Sequence, residues 1–390
     1  LQDLEADMNV LTHILGRAGR LLRGAALGAT LTAACLGGLT LSQSAAAAGK
    51  YKIFLSMSYV GNDWQTEAAN MIKAMAATPA LKDKVDLEVQ VAGTDAQKQI
   101  QQINSMVQAG AKAIVIYPIS PTALNRAIKN ACSKGVVVVA YDGEVTEPCA
   151  HNVAIDQHQA GRVTAEWLAK TLNGKGNIVM ITGVPGTSVD RERTEAAKEV
   201  FAKYPGIKIV AEGTGMWSQA TAKTELSKIL ATNSWDKIDG LWMQVGCFTA
   251  ASMQLDAGVA DDKIKPCAGE SSNGHRVQML PPGSVKGEGA YRAIGYRSIS
   301  YGAPPYSGAM ALKLAVQKLD GKDFPARVTL KLPLVETAQS KLCKNGTIDE
   351  LRAGCTAFPP DKVPPGWFAD IYSEETREVG FNAALHGTPD

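Results

Sequence analysis

KAIVIYPISPTALNRAIKNACSKGVVVVAYD, residues 112–142, decides the fold. Two continuous apolar runs, KAIVIYP and VVVVAYD, flank an amphipathic stretch over residues 121–134. Runs this apolar read as strands buried on both faces, and a helix between them makes a parallel strand–helix–strand unit. The runs end in polar or turn residues near Pro118 and Asp142.

The same alternation extends outward in both directions. Upstream, KIFLSMS and DLEVQVA read as strands ending near Ser58 and Ala92. Helices are expected over 64–77 and 96–109, the second with Ile100, Ile103 and Val107 on one face. Downstream, HNVAID leads to a helix over 158–172, then NIVMIT, IKIVAEG, DGLWMQV and KIKPCAGE alternate with further helical stretches. Thr187 and Asp190 have capping spacing, so a helix is expected to start there and run to about Tyr204. Two successive sets of such units predict an α/β protein with two similar Rossmann-like lobes, each around a parallel sheet and joined by a hinge. The expected division is 49–155 plus 302–322 for the first lobe and 156–301 plus 323–335 for the second. Residues 336–390 then form a C-terminal extension.

The whole chain has 390 residues, with 40 Lys and Arg against 38 Asp and Glu, a formal charge of +2. Charges of both signs are interleaved, which excludes the basic face that nucleic-acid binding needs. Residues 1–48 read as an export signal. Arg17, Arg20 and Arg23 precede the small, apolar run GAALGATLTAACLGGLTL, and SQSAAAAG offers cleavage sites near Ala46 to Ala48. Periplasmic localisation follows. Cys35, in TAAC, sits in a poor lipoprotein box, which favours a soluble mature protein.

Of seven cysteines, the six outside that segment suit disulfides in an exported chain. Cys343 and Cys355 bracket a short excursion and are the best-supported pair. Such a loop stabilises by about 3 kcal/mol in the chain-entropy description. Cys132 with Cys149, and Cys247 with Cys267, follow from proximity in sequence alone. No CxxC occurs and the histidines are scattered, so neither a metal nor a cofactor is expected.

Ligands of open parallel sheets bind beyond the carboxyl ends of the strands, so the cleft between two such lobes is the expected site. The residues placed there suit a polyhydroxylated ligand. Ser58, Asn62 and Trp64 follow the first strand, and Asp142 ends the fourth. Arg193 lies beyond NIVMIT, Trp217 beyond IKIVAEG, and Gln244 ends DGLWMQV, while Glu270 and Asn273 close the set. Tryptophan faces pack against sugar C–H groups, and carboxylate, amide and guanidinium groups each meet two hydroxyl positions. Arg191, two positions from Arg193 on the same helix, points elsewhere and is expected to pair on the protein.

The chain resembles the periplasmic ribose-type sugar-binding proteins, type I periplasmic binding proteins that serve ABC importers. The resemblance rests on TDAQKQIQQINSMVQAGAKAIVIYPISPTALNRAI, VAYDGE, VAIDQHQAG and above all GVPGTSVDRERTEAA, and it covers residues 51–335. It implies hinged lobes that close over one monosaccharide and a closed form that docks on membrane permease subunits. It assigns Asp142 to hydroxyl binding, Arg193 to gripping the sugar and Trp217 to an aromatic contact, and a monomer is expected. Glu270 stands at an aspartate of the family pattern. Gly143, the VGC at 245–247 and Gly302 replace polar residues there. These departures point to a different pentose, a branched or deoxy sugar, or a sugar alcohol rather than ribose.

Rival classes fare worse. Asp142 and Glu270 resemble a glycosidase pair only in residue type, and no base–nucleophile pattern accompanies them. A repressor-type ligand-binding core would carry a DNA-binding segment where this chain has the export signal. A sugar sensor feeding a chemotaxis or kinase receptor remains compatible with everything above, because transport and sensing both read the closed surface. The extension, with FPPDKVPPGWFADIY, is expected to pack over the hinge, and Trp367 is its one residue weighed as a ligand contact.

Overall fold

The computed structural model describes residues 49–390, so the expected export segment lies outside the described residues. The chain opens with β1 (Tyr51–Met57), α1 (Asp63–Ala77), β2 (Val85–Val91), α2 (Ala96–Gln108), β3 (Ala113–Tyr117), α3 (Asn125–Ser133), β4 (Val137–Tyr141) and β5 (His151–Ala154). All five residues of β3 are buried, as are the last four of β4. Continuous apolar runs are thus explained by burial on both sheet faces. Asn62 and Asp95 cap α1 and α2 through their side chains, accepting from Gln65 N and from Gln97 N and Lys98 N.

The chain then repeats the pattern with α4 (Gln157–Thr171), β6 (Lys175–Thr182), α5 (Ser188–Phe201), β7 (Gly206–Thr214), α6 (Gln219–Leu230), β8 (Gly240–Met243), α7 (Cys247–Asp256), β9 (Cys267–Glu270), α8 (Asn273–Met279) and β10 (Ser298–Tyr301). It returns through α9 (Tyr306–Leu319), β11 (Arg327–Thr329) and β12 (Leu334–Glu336), and ends in an extension holding α10 (Ile348–Arg352) and α11 (Phe381–His386). The first sheet has the order β11-β5-β4-β3-β1-β2 and the second β12-β10-β9-β8-β6-β7. Neighbours are parallel except β10 with β12.

The expected α/β fold with two similar lobes is therefore present, with one correction to the boundaries. Residues 323–335 do not belong wholly to the second lobe. Arg327–Thr329 adds to the first sheet, with Arg327 opposite Asn152 and Thr329 opposite Ala154. This strand covers the edge that β5 would otherwise expose. Only afterwards does the chain cross again, and Leu334–Glu336 pairs with β10 in the second sheet.

All three expected disulfides are formed. Cys132–Cys149, Cys247–Cys267 and Cys343–Cys355 have Cα separations of 6.3, 5.7 and 5.1 Å. No helix among the described residues is long and apolar enough to cross a membrane.

Candidate functional site

In each sheet the chain reverses its direction of winding beside the first strand of the lobe, β1 in one and β6 in the other. Those switch points leave crevices at the strands' carboxyl ends. The two crevices face each other around a narrow cavity of about 10 Å3, lined by Asn62, Trp64, Gln65, Tyr117 and Asp142 from the first lobe. Val189, Arg193, Trp217 and Glu270 line it from the second, and Phe368 from the extension. As the lobes stand, it has room for about one water. The lobes touch across it: Asn62 Nδ2 donates to Trp217 O at 3.2 Å, and Glu144 N donates to Ser188 Oγ at 2.9 Å.

Local backbone geometry aims the side chains. Asp142 takes φ 56° at the end of β4, a left-handed conformation that aspartate tolerates. Met216 and Trp217 take φ 54° and 52° in succession, which for a bulky tryptophan is a strained arrangement held by its surroundings. Trp217 Nε1 donates to Gln244 Oε1 at 2.7 Å. A Cβ on Gly183 would lie 2.1 Å from the same indole nitrogen, so only glycine lets Trp217 lie there. On the opposite lobe Trp64 Nε1 donates to Ala303 O at 2.7 Å. Its ring stacks on Tyr141, with centroids 6.4 Å apart and planes at 19°.

Charged groups converge between these two indoles. Arg193 Nε donates to Gln157 Oε1 at 2.8 Å, and Arg193 Nη1 lies 3.3 Å from Glu270 Oε2. Gln157 Nε2 donates to Asp142 Oδ1 at 3.0 Å, so one amide links the aspartate of one lobe to the arginine of the other. Arg193 Nη2 and both polar side-chain atoms of Gln65 are buried without a partner among the described residues. Buried donors and acceptors of this kind are costly unless something pairs with them. Burial pushes the Glu270 carboxyl up to about 7 against the pull of Arg193. It raises Asp142 too, opposed by Arg193 and Gln157. Burial disfavours charge on Arg193, but Glu270, Tyr301 and Asp142 outweigh it and hold the guanidinium above its ordinary value.

Asn62, Trp64, Asp142, Arg193, Trp217 and Glu270 thus come together as expected. Three expected residues are not in the wall. Ser58 is buried and does not line the cavity. Gln244 spends its amide on Trp217, Asp190 and Thr194, and so orients Trp217 from behind. Asn273 donates to Phe358 O at 3.0 Å and accepts from Phe358 N at 2.7 Å, clamping the extension instead. Arg191 pairs on the surface with Glu192 and Glu195. Residues missed in the sequence are Gln65, Tyr117, Val189, Gln157 and Phe368. The first two directly follow expected features and were findable, because Gln65 adjoins Trp64 and Tyr117 ends a strand. From the extension it is Phe368, rather than its neighbour Trp367, that lines the cavity.

The model of the periplasmic binding protein domain matches residues 53–323. The chain is similar to a xylitol-binding protein of Mycolicibacterium smegmatis, 31% identical over 168 residues, or 43% of this chain and 48% of that one. It is also similar to a D-apiose import binding protein of Actinobacillus succinogenes, 28% identical over 36% of this chain and 46% of the relative. The matched stretch spans about half the length of these curated relatives. Among solved structures, an ABC transporter solute-binding protein from Thermobispora bispora superposes with a TM-score of 0.63 at 27% identity. That match covers 74% of this chain and 85% of the other. The chain belongs to the periplasmic binding protein domain family.

Proposed function

We propose that this protein is an extracytoplasmic solute receptor of an ABC importer, which takes one monosaccharide or sugar alcohol between its lobes and delivers it to permease subunits. The observation that carries the reading is the cavity itself. Two indoles, one from each lobe, flank Asp142, Arg193 and Glu270 where the two crevices meet. The names of the curated relatives, one for xylitol and one for D-apiose, support a pentose-sized ligand. Export with cleavage near Ala46 to Ala48, a periplasmic location and a monomeric state complete the proposal.

The mechanism makes no bond. Ligand binds first on the open face of one lobe, where Trp64 and Asp142 receive it. Closure brings Arg193, Trp217 and Glu270 against it, and the ligand shifts the equilibrium by the contacts it gains only in the closed form. Selectivity follows from burial, since a ligand lacking one hydroxyl leaves a desolvated partner unpaired.

The test is thermal unfolding of the purified, ligand-stripped protein with xylitol, D-ribose, D-arabinose, D-apiose, D-allose and myo-inositol. A ligand of the folded state raises the midpoint by mass action. A rise with one or a few related compounds, lost in Asp142→Ala, is expected. A folded sample indifferent to the whole panel overturns the reading.

A further inference from the structure

The extension beyond β12 is bonded to both lobes. On the second lobe, Gly274 N donates to Pro365 O at 2.8 Å and Ala369 N to Ser271 O at 3.2 Å. Arg276 Nη2 donates to Asp370 Oδ2 at 2.9 Å, with the guanidinium fully buried. On the first lobe, the amide of Phe368 donates to Glu67 Oε1 at 2.7 Å, and Asn70 Nδ2 donates to Ala384 O at 3.0 Å. The extension also fills space that the hinge leaves open. A Cβ on Gly302 would lie 2.2 Å from Asp370 Oδ2, so the absence of a side chain at 302 is what lets the extension reach this depth.

Phe368 is the point where this segment meets the ligand site. It lines both the inner cavity and an outer pocket of about 240 Å3 bordered by Asp63, Ser218, Gln219 and Gly366. Asn62, Trp217 and Phe368 are common to both spaces and stand between them. Asn62 and Trp217 are joined by a hydrogen bond from opposite lobes. Phe368 is 4% exposed, and its backbone is fixed on both sides.

Resting on the sugar-receptor reading, we propose that the extension is a third wall of the ligand site and that Phe368 sets its specificity. Its ring packs an apolar edge of the ligand and separates the inner cavity from the outer pocket. The receptor therefore accepts an unsubstituted monosaccharide-sized sugar or polyol and rejects one carrying a substituent directed outward. An apolar wall discriminates by bulk, at about 10- to 200-fold for a group the size of a methylene.

The experiment is calorimetric titration of the full protein and of Phe368→Ala and Phe368→Leu. The ligands are xylitol, D-ribose, D-arabinose, D-apiose and D-allose, each beside its O-methyl derivative. The intact protein is expected to bind a parent compound at least tenfold more tightly than its O-methyl derivative. Phe368→Ala is expected to weaken the parent and strengthen the derivative, so that the preference collapses, whereas Phe368→Leu keeps most of it. A parent bound by the intact protein with the same preference in Phe368→Ala overturns this inference and leaves the receptor reading standing. Equal binding of parent and derivative by the intact protein also overturns it. No binding of any compound by a folded intact protein overturns the receptor reading and this inference together.

Discussion

Arg193 Nη1 lies 3.3 Å from Glu270 Oε2, with both side chains almost wholly buried. The pair joins α5 to the end of β9, within the second lobe, and Gln157 extends it to Asp142 of the first. Taking two charges out of water costs several kcal/mol per ion, so such a pair is poor evidence for stability. Its placement between two tryptophans makes sense as a ligand contact, and its cost is expected to show in the pH dependence of stability.

Glu270 carries the first prediction. Its carboxyl moves from 4.5 to about 7 on folding, so the folded state holds a proton that the unfolded state has released. Stability is then highest below about pH 4.5 and falls as pH rises to about 7, by about 3 kcal/mol for this group alone. The burial of Asp142 acts in the same direction. Urea unfolding of the ligand-free protein across this range checks the sign. Glu270→Gln is expected to flatten the profile, and an unchanged slope in that variant would assign the pH dependence elsewhere.

Arg193→Ala removes the one cation among the groups lining the cavity and leaves Glu270 and Asp142 facing each other without it. Breaking a buried pair from one side costs about 3–5 kcal/mol. Without the guanidinium the Glu270 carboxyl is pushed up further, so it takes up a proton already at neutral pH and part of that cost is relieved there. The variant is therefore expected to be destabilised at neutral pH and increasingly so, relative to the intact protein, as pH rises above it, with no response to the sugar panel. Arg193→Lys is not expected to rescue binding, because an ammonium cannot meet Gln157, Glu270 and a ligand oxygen with one planar fork.

The architecture was legible because its signal is repetitive. A run such as VVVVAYD has few places to go except a doubly covered strand, and strand–helix alternation repeated twice leaves little choice of fold. The site was legible only in part, since residue type after a strand does not say which way a side chain turns. Gln244 and Asn273 have the chemistry of ligand contacts, yet their amides are used up on Trp217 and on the Phe358 backbone. Gln157 looks like any residue opening a helix, and its role depends on the left-handed turn at Asp142 that brings the carboxylate to it. Phe368 had no local signal, because its place in the wall is set by bonds to Glu67 and to the strand-like Ser272 bridge far away in sequence. The boundary at 323–335 failed for a similar reason: three residues suffice to pair with β5, too few for a period to show.

Disulfide removal separates the stapled extension from the lobes. Cys343 and Cys355 are 12 positions apart, and closing so short a loop stabilises by about 3 kcal/mol in the chain-entropy description. Cys343 is fully buried and Cys355 nearly so, in the same apolar cluster as Phe358, Phe368 and α1. Cys343→Ser with Cys355→Ser is expected to lower the thermal midpoint and to raise amide exchange in residues 340–371 first. Exchange that rises uniformly through both lobes would mean that the extension does not open by itself.

Gly183→Ala tests the strained tryptophan with one methyl group. The added carbon meets the indole of Trp217 at 2.1 Å, far inside contact, and that ring sits on a backbone already held in a left-handed turn. Overpacking of this kind costs about 1–3 kcal/mol. Trp217 must shift, which breaks its bond to Gln244 and moves its face off the cavity while leaving the sheets untouched. The expected result is a modest fall in unfolding free energy together with a loss of sugar affinity of tenfold or more, and a changed tryptophan emission in the ligand-free protein. Trp217→Ala should lose affinity similarly and should make Gly183→Ala nearly neutral for stability when the two are combined, because the clash is gone. If the double variant is instead as destabilised as the sum of the two singles, the methyl group acts on some neighbour other than Trp217.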